Sequence, residues 1–287
     1  MLPLALDTST YERLAGEIAD PAAAMASSRP MLDTQAVTAR LEAAIRAARP
    51  FSMLRVNDGE GYYMGWPDIT PRQNLVRSLQ NHLGRSDLSE TELDGICEGI
   101  RQAVANADIV GVYAKAEINA FSIPRLVIER RGLAGPRTEF CRASIHRNLQ
   151  EEGCFDRLLG GLDWLGLVST HDLSRELERR FGVGRVEWFP VPGQARTSEE
   201  GNAADTGHFP GRFEALRREL QPPKPGAVFL LGAGFLGKIY ARWIKDRDGI
   251  AIDIGSTLDG WAGKPTRRYL RPGKASSSET VLDRYRL

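Results

Sequence analysis

Cysteine and histidine are both scarce in this 287-residue chain, at three and four residues. Cys97, Cys141 and Cys154 stand far apart with no Cys-x-x-Cys pair, and His82, His146, His171 and His208 show no His-x-x-x-His spacing. Neither a disulfide framework nor a zinc cage of the usual kind is indicated, and the thiols are expected to be buried and reduced. A surplus of charge of either sign is missing as well. The 38 Lys and Arg face 37 Asp and Glu, a net charge of +1, so nothing draws the whole molecule toward nucleic acid or an anionic membrane. No nucleic-acid partner is expected. No apolar run approaches the ~20 residues of a membrane-spanning helix, and Met1–Asp7 has no basic stretch ahead of an apolar core. Neither a transmembrane segment nor a secretory leader is expected. The expected compartment is the cytoplasm, with peripheral attachment to the inner face of the membrane left open.

What is present is an ordinary globular composition, 42% hydrophobic and 26% charged, long enough for one large α/β domain. Residues 1–32 read as an arm and linker ending in Ala-Ala-Ala-Met-Ala-Ser-Ser-Arg-Pro30. Asp33-Thr34 can cap a helix that places Val37, Leu41, Ala44, Ile45 and Ala48 on one face. Phe51 to Val56 reads as a buried strand followed by a polar turn, Asn57-Asp58-Gly59-Glu60-Gly61. Helical periodicity returns at Leu75–Leu83 and, after a Ser89/Glu92 capping box, at Leu93–Val104. Further strands are expected at 108–113, 163–169, 186–191, 227–231 and 250–254. Helices are expected at 123–131, 143–152, 173–181, 213–220 and 235–245, and a polar loop at 197–207. Strands alternating with helices predict an α/β, Rossmann-like fold, a mostly parallel sheet with helices on both faces, over residues 33–270. A basic tail closes the chain: Lys264–Leu287 holds seven Lys and Arg against two acids. It reads either as a solvated extension or as a segment that closes over a phosphate-bearing ligand.

Three constellations could carry chemistry. In Arg55-Val-Asn57-Asp58-Gly59-Glu60, residues 58 and 60 of an extended segment would point the same way. Two carboxylates so close repel unless a cation lies between them, and Mg²⁺ or Mn²⁺ would be suited to that place. Gly59 would let a ligand approach, and Arg55 could reach phosphate from the strand edge. A solvated Asp-Gly turn is the other reading. Gly232-Ala-Gly234-Phe-Leu-Gly237-Lys238 fits Gly-x-Gly-x-x-Gly between a strand and a helix, with Asp253 ending the next strand. Such a turn either faces phosphate, helped by Lys238, or packs helix on strand. His208, in Gly-His-Phe-Pro after the polar loop, is either a structural hydrogen-bonder or part of the site. The triad letters in Ser169-Thr-His171-Asp172 are set aside, because residues adjacent in sequence rarely form a triad.

Together these blocks resemble the GT-D-type bacterial glycosyltransferases. The family signature is Arg-x-x-Asp-Gly-Glu after an early strand, here Arg55 to Glu60, with Asn57 where the family has Gly. The C-terminal block Leu231–Lys238, Gly249–Ser256 and Asp259–Lys264 also resembles the family's, and the Pro190–Gly193 and His208-Phe-Pro segments do so more loosely. The resemblance runs from about residue 34 to 270. It implies that Asp58 and Glu60 hold a divalent ion, Mn²⁺ or Mg²⁺, against the diphosphate of a UDP-sugar. Arg55, Asn57, Gly59, Gly232, Gly234, Lys238 and His208 would surround the nucleotide-sugar. The sugar would pass to a glycan or glycoprotein acceptor in surface or exopolysaccharide assembly. Asp253, Glu117 and His208 are candidates for the general base, in that order. Asp58, Glu60 and Asp253 form the expected catalytic set. Two other functions compete: an NAD(P)-dependent oxidoreductase built on the glycine turn and Asp253, and a non-catalytic nucleotide-binding protein. Donor sugar, acceptor and stereochemical outcome are not legible, and a homo-oligomer is left open.

Overall fold

Asp33 starts the first helix as expected: its carboxylate accepts the Ala36 N–H at 2.8 Å, and Val37, Leu41 and Ala44 turn inward. The computed structural model describes residues 30–112, 123–195, 207–270 and Leu287, and gives the backbone alone for Asp58, Ile123, Leu126 and Arg268. The N-terminal arm, Glu117, most of the 197–207 loop and nearly all of the tail beyond residue 270 lie outside the described residues.

The first half of the chain runs β1 (Met31–Leu32), α1 (Thr34–Arg46), β2 (Phe51–Arg55), α2 (Asp58–Gly65), α3 (Arg72–Leu83), α4 (Glu90–Asn106), β3 (Ile109–Val112), α5 (Ile123–Arg130), β4 (Glu139–Arg142), α6 (Ile145–Glu151) and α7 (Cys154–Leu159). It continues through β5 (Leu165–Ser169), α8 (Ser174–Phe181), β6 (Val186–Pro190), α9 (Phe213–Glu219), β7 (Val228–Leu231), α10 (Gly237–Asp246), β8 (Ile250–Asp253) and α11 (Thr257–Trp261). Met31 and Leu32, assigned from sequence to the linker, instead pair with Phe140 and Cys141 as an edge strand. Strand β4 and helix α7 were not expected from the sequence.

The eight strands form one sheet in the order β1-β4-β3-β2-β8-β7-β5-β6, parallel at every pairing. Right-handed crossovers fix which face each connection covers. Steps toward β1, such as β2 to β3 and β7 to β8, put α2, α4 and α10 on one face; steps the other way put α1, α7 and α8 on the opposite face. Two cores result. Tyr62, Tyr63, Ile96, Ile100 and Tyr240 belong to the first, and Val37, Leu41, Phe155, Leu177 and Trp261 to the second. The strands serve both by alternation: in β2, Leu54 faces the first core and Met53 the second. Strands β2 and β8 are neighbours at the sheet centre. The chain leaves β2 toward the first face, through Tyr62 and Tyr63, and leaves β8 toward the second, through Leu258 and Trp261. A crevice opens where neighbouring strands part company in this way, at their carboxyl ends.

Candidate active site

The block after β2 is not the extended turn that its glycines suggest. Asn57 caps a helix that begins at Asp58, and Glu60 at the third helical position returns its Oε2 to accept the Asn57 N–H at 3.0 Å. This corrects the argument that residues 58 and 60 share a side, since positions i and i+2 of a helix lie about 200° apart around its axis. Gly59 has helical backbone, and a Cβ there would meet His82 at an ordinary 3.5 Å, so no special turn depends on it.

Burial removes Glu60 from solvent, and a long-range partner compensates it. Lys238, in the first turn of α10, places Nζ 3.2 Å from Glu60 Oε1 and 2.7 Å from Asp253 Oδ2. Arg55, the last residue of β2, sends Nη2 to Asp253 Oδ1 at 3.2 Å, Nε to the Asp253 carbonyl at 3.1 Å and its backbone N–H to Oδ2 at 3.2 Å. All four side chains are buried, and two cations balance two carboxylates. Burial alone would raise both carboxyl groups. The Lys238 charge, with the Asn57 N–H, overcomes it at Glu60, and the Arg55 and Lys238 charges overcome it at Asp253, so both end below the usual carboxylate range. Burial pulls down on Lys238, yet the Asp253 and Glu60 charges leave its ammonium held above its ordinary value. The remaining arm of the guanidinium, Arg55 Nη1, lies 2.8 Å from His146 Nδ1. Arginine only donates, while the Ala143 carbonyl, 3.2 Å from the same Nδ1, only accepts, so the two contacts compete for opposite tautomers of the ring. Burial, then the Arg55 and Arg147 charges, push His146 well below its ordinary pKa, so the ring is held neutral.

Three amides of the glycine turn are bonded within the fold. The N–H of Gly232 bonds to Val168 O, that of Gly237 to Gly234 O and that of Lys238 to Phe235 O. Gly234 adopts φ +62°, where a side chain is strained, and a Cβ on Gly232 would crowd Leu258 at 2.7 Å. Helix–strand packing thus accounts for much of the fingerprint. His208 is buried against Tyr240, Nε2 to Oη at 2.8 Å. Burial, with the nearby Arg212 charge, lowers its pKa to about 4.

These groups border one cavity of about 1280 Å³ at the carboxyl ends of the central strands. Arg55, Asn57, Gly59, Glu60, His208 and Asp253 all reach it, as do Gly232, Gly234 and Lys238. All four histidines of the chain line it. The sequence reading missed His82 and His146, together with Arg142, Arg147 and Gln194; it set His171 aside, and it placed Arg267 and Tyr269 in the segment read as either solvated or closing over a phosphate-bearing ligand. The signal for Arg142 and His146 was β4, since a strand recognised at 139–142 would have put the next loop at the same sheet end. Among the described residues the lining carries six cations, Arg55, Arg142, Arg147, Lys238, Lys264 and Arg267, against three carboxylates, Glu60, Asp253 and Asp259.

As held here, Glu60 and Asp253 do not fit a divalent ion. Each of their four oxygens faces an N–H donor or the Lys238 ammonium, and a metal would have to displace that ammonium. Among the described residues no three His, Cys, Asp or Glu side chains gather as metal ligands; the Asp58 side chain lies outside them. No helix of the described residues is long and apolar enough to cross a membrane.

The family model described as a GT-D fold-like domain matches residues 32–182, just over half of the chain. A solved structure of similar fold, at TM-score 0.51 and 11% identity, covers 94% of this chain and 90% of its own. It is described as the highly conserved domain of unknown function 1792, with a distinct glycosyltransferase fold. No protein of curated function matches the sequence.

Proposed function

The chain belongs to the GT-D-like family and has a glycosyltransferase fold, and from that premise we propose that it transfers a sugar from a nucleoside diphosphate donor, UDP-linked in particular, to a glycan or glycoprotein acceptor. The observation that carries this reading is the cavity at the carboxyl ends of β2 and β8, large enough for a nucleotide-sugar and lined by six cations against three carboxylates. Breaking the glycosidic bond leaves negative charge on the departing diphosphate, and cations placed around the cavity stabilise that charge as it develops. The Arg55–Asp253–Lys238–Glu60 cluster positions the floor of the cavity. Asp253 does not serve as the base on this reading, because both of its oxygens are held by cations. The same pairing counts against a nicotinamide cofactor, whose ribose would need an open carboxylate at the end of β8.

A divalent ion, Mn²⁺ or Mg²⁺, at Asp58 and Glu60 would require Lys238 to release Glu60. Thermal unfolding tests both points. UDP or a UDP-sugar at a hundred times its dissociation constant adds about 2.7 kcal/mol, a shift of roughly 5–10 °C for a chain of this size. The expected result is a shift with UDP and none with NAD⁺. A shift with NAD⁺ alone would overturn the reading. Replacing Mn²⁺ by EDTA shows whether the metal is needed, and Asp58→Asn whether Asp58 holds it.

A further inference from the structure

Two of the six cations in the cavity are already matched. Arg55 and Lys238 face Asp253 and Glu60, and that buried group is neutral as a unit. The other four, Arg142, Arg147, Lys264 and Arg267, have no carboxylate partner among the described residues. Arg267 donates from Nη2 to the neutral amide of Gln194 at 3.1 Å. The Arg147 guanidinium lies 3.9 Å from the centre of the Tyr269 ring, and its Nε is buried with no hydrogen-bond partner. Arg142 ends β4 and Lys264 follows α11, both exposed at the cavity wall. Widely separated stretches of the chain thus bring four positive charges to the lining of one cavity. Like charges sharing one cavity repel, and the Arg147 and Arg267 charges add, after burial and the Arg55 charge, to the lowering of the His146 pKa. An anion of more than one charge would relieve that repulsion. Planar guanidinium forks on Arg142, Arg147 and Arg267 match phosphate oxygens in pairs.

We infer that Arg142, Arg147, Lys264 and Arg267 form the diphosphate seat of the cavity, in place of Lys238. The inference rests on the proposed nucleotide donor for the identity of the ligand, and on the structure for the place. It also gives a role to the start of the basic C-terminal segment, where Lys264 and Arg267 face the cavity.

Calorimetric titration of the full chain with inorganic pyrophosphate, in EDTA, tests the seat directly. Wild type is expected to bind pyrophosphate, and to bind UDP more tightly than UMP. The double variant Arg147→Gln/Arg267→Gln is expected to weaken both pyrophosphate and UDP tenfold or more. Arg142→Gln/Lys264→Gln, altered at exposed positions only, is expected to weaken them in the same direction and serves should the first variant fail to fold. Folded variants that bind pyrophosphate within twofold of wild type overturn the seat, as does wild type that binds it only with Mn²⁺ present. Competition names the source of the diphosphate. Displacement of pyrophosphate by UDP and not by geranyl diphosphate assigns the seat to the donor; the reverse overturns that assignment in favour of a lipid-linked acceptor. Pyrophosphate binding that the variants abolish, in a protein that takes no nucleotide, keeps the seat and removes the glycosyltransferase reading.

Discussion

Lys238 is the residue on which most of the buried chemistry turns. Its ammonium is the shared counter-charge of Glu60 and Asp253, and removing one partner of a buried ion pair leaves an uncompensated charge. Lys238→Met is therefore expected to destabilise the protein by roughly 3–5 kcal/mol. Adding Glu60→Gln should recover part of that loss, because one stranded carboxylate disappears. Urea unfolding of the two single variants and the double variant measures the coupling, and strict additivity would show that the two groups do not interact. His208 makes the opposite kind of contribution. Its pKa is about 4 in the fold, against about 6.5 for a free histidine. The unfolded chain therefore binds the proton more readily between those values, and the stability that His208 supplies is complete above pH 6.5 and lost as pH falls toward 4. The size is about 3 kcal/mol. His146 is shifted in the same direction and adds to the effect. The urea midpoint should fall between pH 7 and pH 4.5 in wild type and fall less in His208→Gln. Equal slopes would remove His208 from the account.

Between elements, the junction from β8 to α11 is tightest at Gly255. It has φ +49°, and a Cβ there would land on the Arg55 guanidinium. Gly263, just after α11, has φ +69° but meets nothing within 4 Å. Alanine at both sites carries the left-handed penalty of roughly 1–2 kcal/mol, while Gly255→Ala must also move Arg55 off Asp253. Gly255→Ala is expected to lose clearly more stability than Gly263→Ala in urea unfolding and to lose UDP binding with it. The elements legible in the sequence were those with apolar runs or caps of their own: β2, β3, β5, β6, β7 and β8, the Asp33 cap and the Ser89/Glu92 capping box. Strand β4, Glu-Phe-Cys-Arg, has two apolar residues and charged ends, and its place between β1 and β3 makes it a strand. The Asn57–Gly61 block was misread because Gly59 and Gly61 disfavour helix. The burial of Tyr62, Tyr63 and Met64 overrides that preference. The site was half legible for a similar reason. Arg55, Glu60, Lys238 and Asp253 stood out as charged residues at strand ends, but Arg55 and Asp253 are 198 positions apart. Their mutual neutralisation exists only once β8 lies beside β2.

That adjacency also decides what the molecule is as a whole. The family match ends at Gly182, after β5 and α8, yet the sheet inserts β8 and β7 between β2 and β5. A chain cut at residue 182 would keep β1, β4, β3 and β2 as one patch and leave β5 without either neighbour, since β6 and β7 both lie beyond the cut. It would also leave Arg55 buried without Asp253 and Glu60 without Lys238. Both cores draw on the missing half, through Phe229 and Tyr240 on one face and Leu230 and Ile252 on the other. Residues 32–182 expressed alone are therefore expected to show no cooperative urea transition, while residues 30–270 unfold in a single one followed identically by far-ultraviolet circular dichroism and tryptophan fluorescence. A cooperative transition in the 32–182 fragment would mean that its strands can close a core without β7 and β8. The charge cluster at the centre of the sheet would then be an addition to a finished domain and not the join that holds its two halves together.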